Sequence, residues 1–160
     1  MTATPDPVLR TCSRLGADDV ARVLDLAEAA AVSDGTYPLS EHVALHLRHG
    51  DPDARHLLVE DPATGALLGY AHLDRSEPAE GARAELAVSP RARRHGVGAQ
   101  LIDALVAATD GHGPLELWAH GEDASARRLA GAHGFHRIRH LWQLRRSLHA
   151  PLAPPALDTR

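Results

Sequence analysis

Lysine and asparagine are missing from this 160-residue chain, whose 17 basic residues are all arginine. The absence of lysine excludes a Walker phosphate loop, whose GxxxxGK[ST] pattern requires that residue. Both missing residues have AT-rich codons, while alanine, arginine and glycine have GC-rich ones, so a GC-rich genome accounts for the bias. Cysteine is reduced to Cys12, which excludes an intramolecular disulfide and suits a reducing cytoplasm. No stretch approaches the ~20 apolar residues that span a bilayer. The N-terminus, MTATPDPVLR, lacks a basic segment followed by an apolar run, so no secretory signal is expected. Basic surface is scarce as well. The formal net charge of −4 argues against broad nucleic-acid binding.

What is present fits one globular domain: 44% hydrophobic and 24% charged residues in a length that supports one sizeable core. Twelve histidines are many, and His42, His46 and His49 fall at i, i+4 and i+7 of one helical face. No carboxylate or cysteine completes a ligand set around them, so a solvated face is expected and no metal.

Along the chain, Val8–Arg14 reads as a short strand. Asp18 or Asp19 then caps a helix in which Val20, Val23, Leu24, Ala27 and Ala31 recur at spacings of three and four. Gly35 offers a left-handed cap to end it. Ser40 and Glu41 open a second helix through Leu47, stopped by Gly50-Asp51-Pro52. His56–Glu60 and Ala66–Leu73 flank Asp61-Pro62-Ala63-Thr64-Gly65, a hairpin signal. Ala84–Val88 reads as a strand before Ser89-Pro90. A helix from Gly98 to Ala108 follows and is expected to bury Leu101, Ile102, Leu105 and Val106. The strand Leu115–Ala119, a helix from Asp123 to His133 and strand material at Ile138–Leu144 complete the order. From His149 the chain reads as a proline-rich linker or tail. The order β-α-α-β-β-β-α-β-α-β predicts a mixed α/β domain over 1–148, with a largely antiparallel first half.

The most informative segment is Arg91-Ala92-Arg93-Arg94-His95-Gly96-Val97-Gly98-Ala99-Gln100-Leu101, which leaves a strand and opens a helix. Glycines at 96 and 98 allow close backbone approach to a ligand. The first helical turn presents unpaired N–H groups and the positive end of the macrodipole. Such a loop suits a pyrophosphate, and Arg93, Arg94 and His95 add local positive potential. The dinucleotide fingerprint GxGxxG is excluded, because Leu101 stands three residues after Gly98.

This R-x-x-G-x-G segment, after a strand ending Val88-Ser89-Pro90, resembles the coenzyme A-binding motif of the GNAT acetyltransferases. The downstream helix, strand and Gly134-Phe135 pair are similar too, so the resemblance covers about residues 8–148. It implies the GNAT fold, with a largely antiparallel central sheet and splayed fourth and fifth strands. It also implies acetyl-coenzyme A as co-substrate, its phosphates on Arg93, Arg94, His95, Gly96, Val97, Gly98 and Ala99. Its pantetheine arm would bond the backbone of the fourth strand, here Leu86, Ala87 and Val88. Many members use a glutamate on that strand as base and a tyrosine four residues before Gly-Phe as acid. Here Ala130 stands at the tyrosine position. Glu85 is the acidic residue left on the fourth strand. It reads equally well as a base or as a strand residue facing solvent, and His120 or Glu122 are further candidates.

Several stretches are similar to the N-terminal half of the mycothiol synthase family, a two-domain actinobacterial branch. They are Ser33–Glu41, His56–Val59, Ala84–Pro90, Trp118-Ala119-His120-Gly121 and Leu141–Arg146. This resemblance implies acetylation of the cysteinyl amine of cysteinyl-glucosaminyl-inositol (Cys-GlcN-Ins), with Glu41 contacting that acceptor. It places the catalytic acid and base in the other half, so a second GNAT domain is an expected partner. The base position of that other half falls here on Ala82. Cofactor binding without fast turnover, in the cytoplasm, is the resulting expectation, with a non-catalytic acetyl-coenzyme A-binding domain or a free-standing GNAT N-acetyltransferase of another small-molecule or protein amine as the alternatives.

Overall fold

The computed structural model describes residues 6–77, 79–109, 113–121 and 123–141. In chain order they form β1 (Val8–Cys12), α1 (Ala17–Asp34), α2 (Glu41–His49), β2 (Ala54–Glu60), β3 (Leu67–Asp74) and β4 (Ala82–Val88). A 3₁₀ turn at Pro90–Ala92 leads to α3 (Val97–Thr109), β5 (Leu115–Trp118) and α4 (Ala124–Ala132). The strands make one sheet in the order β1-β2-β3-β4-β5, antiparallel throughout except for the parallel β4–β5 pair. The expected order therefore holds through α4, with several ends moved by one or two residues. Residues 138–141 carry no strand, contrary to expectation, while 142–144 and the proline-rich tail lie outside the described residues.

β2 and β3 are buried on both faces because both faces are covered. Leu57, Val59, Ala71 and Leu73 pack under α3 with Val97, Leu101 and Leu105. On the opposite face Leu58 and Tyr70 pack against Val23, Ala27, Val43 and Leu47 of α1 and α2. The domain is thus a sheet between two helical layers. Truncating Leu101 or Leu105, both fully buried, costs about 2–5 kcal/mol on general experience with such cavities. Val106 departs from the expected pattern and is 47% exposed. It sits one position past Leu105, outside the arc that faces the sheet.

The helix ends follow local chemistry. Neither Asp18 nor Asp19 caps α1. The helix starts earlier, at Ala17 behind Gly16, and both aspartates fall in its first turn. There Asp19 is occupied by Arg10 at 2.9 Å and Arg22 at 3.0 Å, tying α1 to the first strand. Gly35 closes α1 at φ 72°, its N–H bonded to the Ala31 carbonyl. Ser40 caps α2 by accepting from the Val43 amide at 3.3 Å. The β2–β3 turn is closed by Asp61 N–H to Ala66 O at 2.9 Å.

Candidate functional site at the mouth between β4 and β5

β4 and β5 run parallel from Ala82↔Leu115 to Glu85↔Trp118, and their pairing stops there. Leu86, Ala87 and Val88 continue in register with Ala71, Tyr70 and Gly69 of β3 alone. By strand alternation Leu86 and Val88 turn their backbone groups toward the β5 side, where no strand pairs with them, and the Val88 carbonyl there accepts from Arg93 Nε at 3.4 Å. Strand backbone left unpaired is costly unless water or a ligand supplies partners. The pairing ends where β5 itself ends, at Trp118, and β4 runs three residues further, over the stretch where the resemblance puts the pantetheine arm.

The same strand then delivers the loop to α3. Gly96 has φ +85°, and a Cβ built on it meets nothing within 4 Å. Arg94 holds φ +66°, which is uncommon for a residue with a side chain. Gln100 N–H is the first amide here bonded back along the chain, to Gly96 O at 3.0 Å. The amides of Val97, Gly98 and Ala99 precede any i−4 acceptor and point out of the helix end. Arg94 and His95 are exposed beside them. An open concave backbone, orphan amides and nearby cations fit a diphosphate. Gly98 serves differently: its missing Cβ would come within 2.8 Å of Leu129 Cδ2, so it lets α4 close on α3. Arg93 turns its guanidinium to Asp34, at 2.7 and 2.8 Å, at the last position of α1.

Glu85 stands at the last β4–β5 pair, opposite Trp118. Its side chain is 12% exposed, so it does not face solvent. Glu85 Oε2 accepts from the Ser40 amide at 2.6 Å and lies 3.2 Å from His120 Nε2. Burial pushes this carboxyl up, but the bonds from His120 and Ser40 outweigh it and hold it below the ordinary glutamate value. A carboxylate so held is a good anchor for a cation and a weak proton acceptor near neutrality. Glu41 follows Ser40 and is exposed at the first turn of α2. An ideal Cβ on Gly121, next to His120, would lie 3.4 Å from Thr36 Oγ1. The α1–α2 loop and the end of β5 thus converge on Glu85. Glu122 lies outside the described residues.

The two alanines keep their places. Ala82 is buried in the α3-side core, on the opposite strand face from Glu85. Ala130 contributes its carbonyl to the end of α4, accepting from His133 and Phe135.

Of the three histidines on the α2 face expected to be solvated, His42 and His49 are exposed, while His46 is turned in toward the sheet. His42 meets Asp74 at 2.9 Å, His46 Nδ1 meets His72 Nε2 at 3.2 Å, and His56 Nδ1 meets the Tyr70 hydroxyl at 2.8 Å. His56 and His72 are each 1% exposed. Burial first, then neighbouring positive groups, push both imidazoles down to about 4. Burial also pushes the Tyr70 phenol up. Asp74 is raised by burial and lowered more by Ser76 and His42, ending at about 2. Strand parity held the missing signal: His56, Tyr70, His72, Asp74 and Glu85 all fall on the face that meets the α2 histidines. Among the described residues no group of three or more His, Cys, Asp or Glu could hold a metal ion, and no helix is long and apolar enough to cross a membrane.

The chain is 49% identical over 150 residues to a mycothiol acetyltransferase of Salinispora arenicola, covering 94% of this chain and 48% of the relative. It is 43% identical over 160 residues to that of Acidothermus cellulolyticus, covering 98% and 48%. The chain therefore spans about half the length of the curated relatives it matches. Among solved structures, it is similar to a phosphinothricin acetyltransferase of Sinorhizobium meliloti in complex with AcCoA. That match has TM-score 0.62 and 24% identity, covering 82% of this chain and 76% of that one. The ribosomal-protein-S18-alanine N-acetyltransferase of Escherichia coli matches at TM-score 0.64 and 19% identity, covering 82% and 80%. The family profile described as "Acetyltransferase (GNAT) family" matches residues 20–135. By that match and this fold, the chain belongs to the GNAT acetyltransferase family.

Proposed function

We propose that this chain binds acetyl-coenzyme A in the β4–β5 cleft, as the N-terminal-type half of a mycothiol acetyltransferase, with little turnover of its own. The observation that carries this reading is the end of the β4–β5 pairing at Glu85↔Trp118, directly upstream of the open loop at Gly96. The amides of Val97, Gly98 and Ala99, with Arg94 and His95, would hold the diphosphate. Leu86 and Val88 would bond the pantetheine arm through their backbone. When bound, the group supplies an activated acetyl thioester.

The α1–α2 loop forms the acceptor side. Glu85, Ser40 and His120 make an anionic end to the cleft, suited to an ammonium, and Glu41 adds a second carboxylate at its rim. Relatives named mycothiol acetyltransferase, about twice this chain's matched length, support a small-molecule amine acceptor; Cys-GlcN-Ins as that amine and a second GNAT domain as the partner follow from the resemblance of Ser33–Glu41 and Trp118–Gly121. Calorimetric titration of residues 1–160 with acetyl-coenzyme A tests the first part. Saturable one-site binding, competed by free coenzyme A, is expected. Absence of saturable binding sinks the proposal.

A further inference from the structure

We propose that Asp34 holds the place of a cofactor phosphate on Arg93, so that cofactor binding exchanges one anion for the other and unties the phosphate loop from the acceptor loop. This inference rests on the acetyl-coenzyme A reading above. Arg93 is the first residue of the R-x-x-G-x-G segment, yet its guanidinium makes a two-pronged bond to Asp34 at 2.7 and 2.8 Å. That fork-on-carboxylate geometry is the one arginine uses on phosphate. Arg93 Nε also reaches the Val88 carbonyl at 3.4 Å, which keeps the side chain over the strand-to-loop junction. The pair is a third exposed on both sides, 34% and 37%, so an arriving anion has access to it.

Charge around the pair sets the direction of the effect. Asp34 is held below the ordinary aspartate value chiefly by its bond from Arg93. Asp123, the cap of α4, adds a second negative field on Arg93. Arg91, Arg94 and His95 are exposed on the loop side. A diphosphate entering here gains the arginine and meets Asp34 as a like charge. Asp34 therefore lowers cofactor affinity, and its removal should raise it.

The consequence reaches the acceptor side because of where Asp34 sits. It is the last residue of α1, and the five residues 36–40 lead from Gly35 to the Ser40 amide bonded to Glu85. In the free protein the pair fastens this loop to the cofactor loop. Exchange of Arg93 onto phosphate releases that tie.

The test is equilibrium binding of acetyl-coenzyme A, and of acetyl-pantetheine lacking the diphosphate, to the parent, Asp34→Asn, Asp34→Ser, Arg93→Gln and the double variant. Surface ion pairs are worth at most about 1 kcal/mol, which converts to about a fivefold change in affinity. Both Asp34 variants should tighten acetyl-coenzyme A by about two- to fivefold. Arg93→Gln should weaken it by a similar factor and abolish the effect of Asp34→Asn. Acetyl-pantetheine affinity should not move in any variant. In the free protein, the Arg93 Nε–H resonance should shift on adding inorganic pyrophosphate and on Asp34→Asn. Unchanged or weaker acetyl-coenzyme A binding by folded Asp34 variants would overturn the exchange while leaving the cofactor site intact. A change of equal size with acetyl-pantetheine would overturn it too. A parent that binds no acetyl-coenzyme A refutes both readings.

Discussion

Gly96 and Gly98 stand two residues apart in one motif and answer different constraints. Gly96 sits at φ +85° with open space before it, so a valine there meets backbone strain and projects into the room a ligand would use. Gly98 has ordinary backbone geometry and a neighbour instead: Leu129 would be 2.8 Å from its Cβ. Gly96→Val should lower acetyl-coenzyme A affinity by about tenfold or more, since one lost charge-assisted contact is worth about 1.5–3 kcal/mol. Gly98→Val should cost stability, about 1–3 kcal/mol as for other overpacked sites, and Leu129→Ala should restore part of it. Calorimetry and urea denaturation separate the two. Parent-like acetyl-coenzyme A binding by a folded Gly96→Val protein would remove the phosphate assignment from this loop. At this scale the sequence was legible for the glycine pattern itself. It was not legible for Gly98, because the sequence does not reveal which helix leans on α3, nor for Arg93, whose partner Asp34 lies 59 residues away.

At the scale of elements, periodicity found the helices and strands but not the way α2 lies on the sheet. A His42–His46–His49 spacing identifies one face and is silent on what that face meets. Register supplies the answer: His56 pairs with His72 across β2–β3, and His72 with Glu85 across β3–β4, so the polar strand positions line up under α2. His42 with Asp74, and His46 with His72, then fasten the helix. This docking has a pH dependence with a definite sign. His56 and His72 titrate at about 4 in the fold against 6.5 when free, so between those limits the unfolded chain binds more protons. Stability is complete above about pH 6.5 and falls as pH drops toward 4. At 1.36 kcal/mol per pH unit, a fully buried imidazole of this kind costs on the order of 3 kcal/mol to charge in place. The facing groups are His42, His46, Arg55, Asp74 and Asp51, whose Oδ2 lies 3.8 Å from His46 Nε2. Urea unfolding at a series of pH values should show this slope, and His72→Gln should flatten it. An equal slope in the variant would place the titration elsewhere.

For the whole molecule, binding and chemistry ask for different things. Binding a thioester cofactor needs strand backbone without a neighbouring strand, an open loop and orphan amides, and all three are present. Moving protons during acetyl transfer needs a placed base and acid. The two positions where the family resemblance puts them are Ala82, buried in the α3-side core, and Ala130, partly buried in α4. Glu85 is near the cleft but committed to Ser40 and His120, and its lowered affinity for protons limits it as a base. Loss of acid–base groups commonly costs ~10²–10⁴-fold in rate, while proximity alone preserves some acceleration. Residues 1–160 should therefore bind acetyl-coenzyme A and turn it over at least about two orders of magnitude below the ~10 s⁻¹ of an ordinary enzyme. Thiol release followed with a panel of primary amines, Cys-GlcN-Ins among them, measures this directly. Fast acetylation of one acceptor would contradict the expectation. His120 would then be the first residue to replace, with Glu85→Gln beside it, because its imidazole lies 3.2 Å from the Glu85 carboxylate at the end of the β4–β5 pairing.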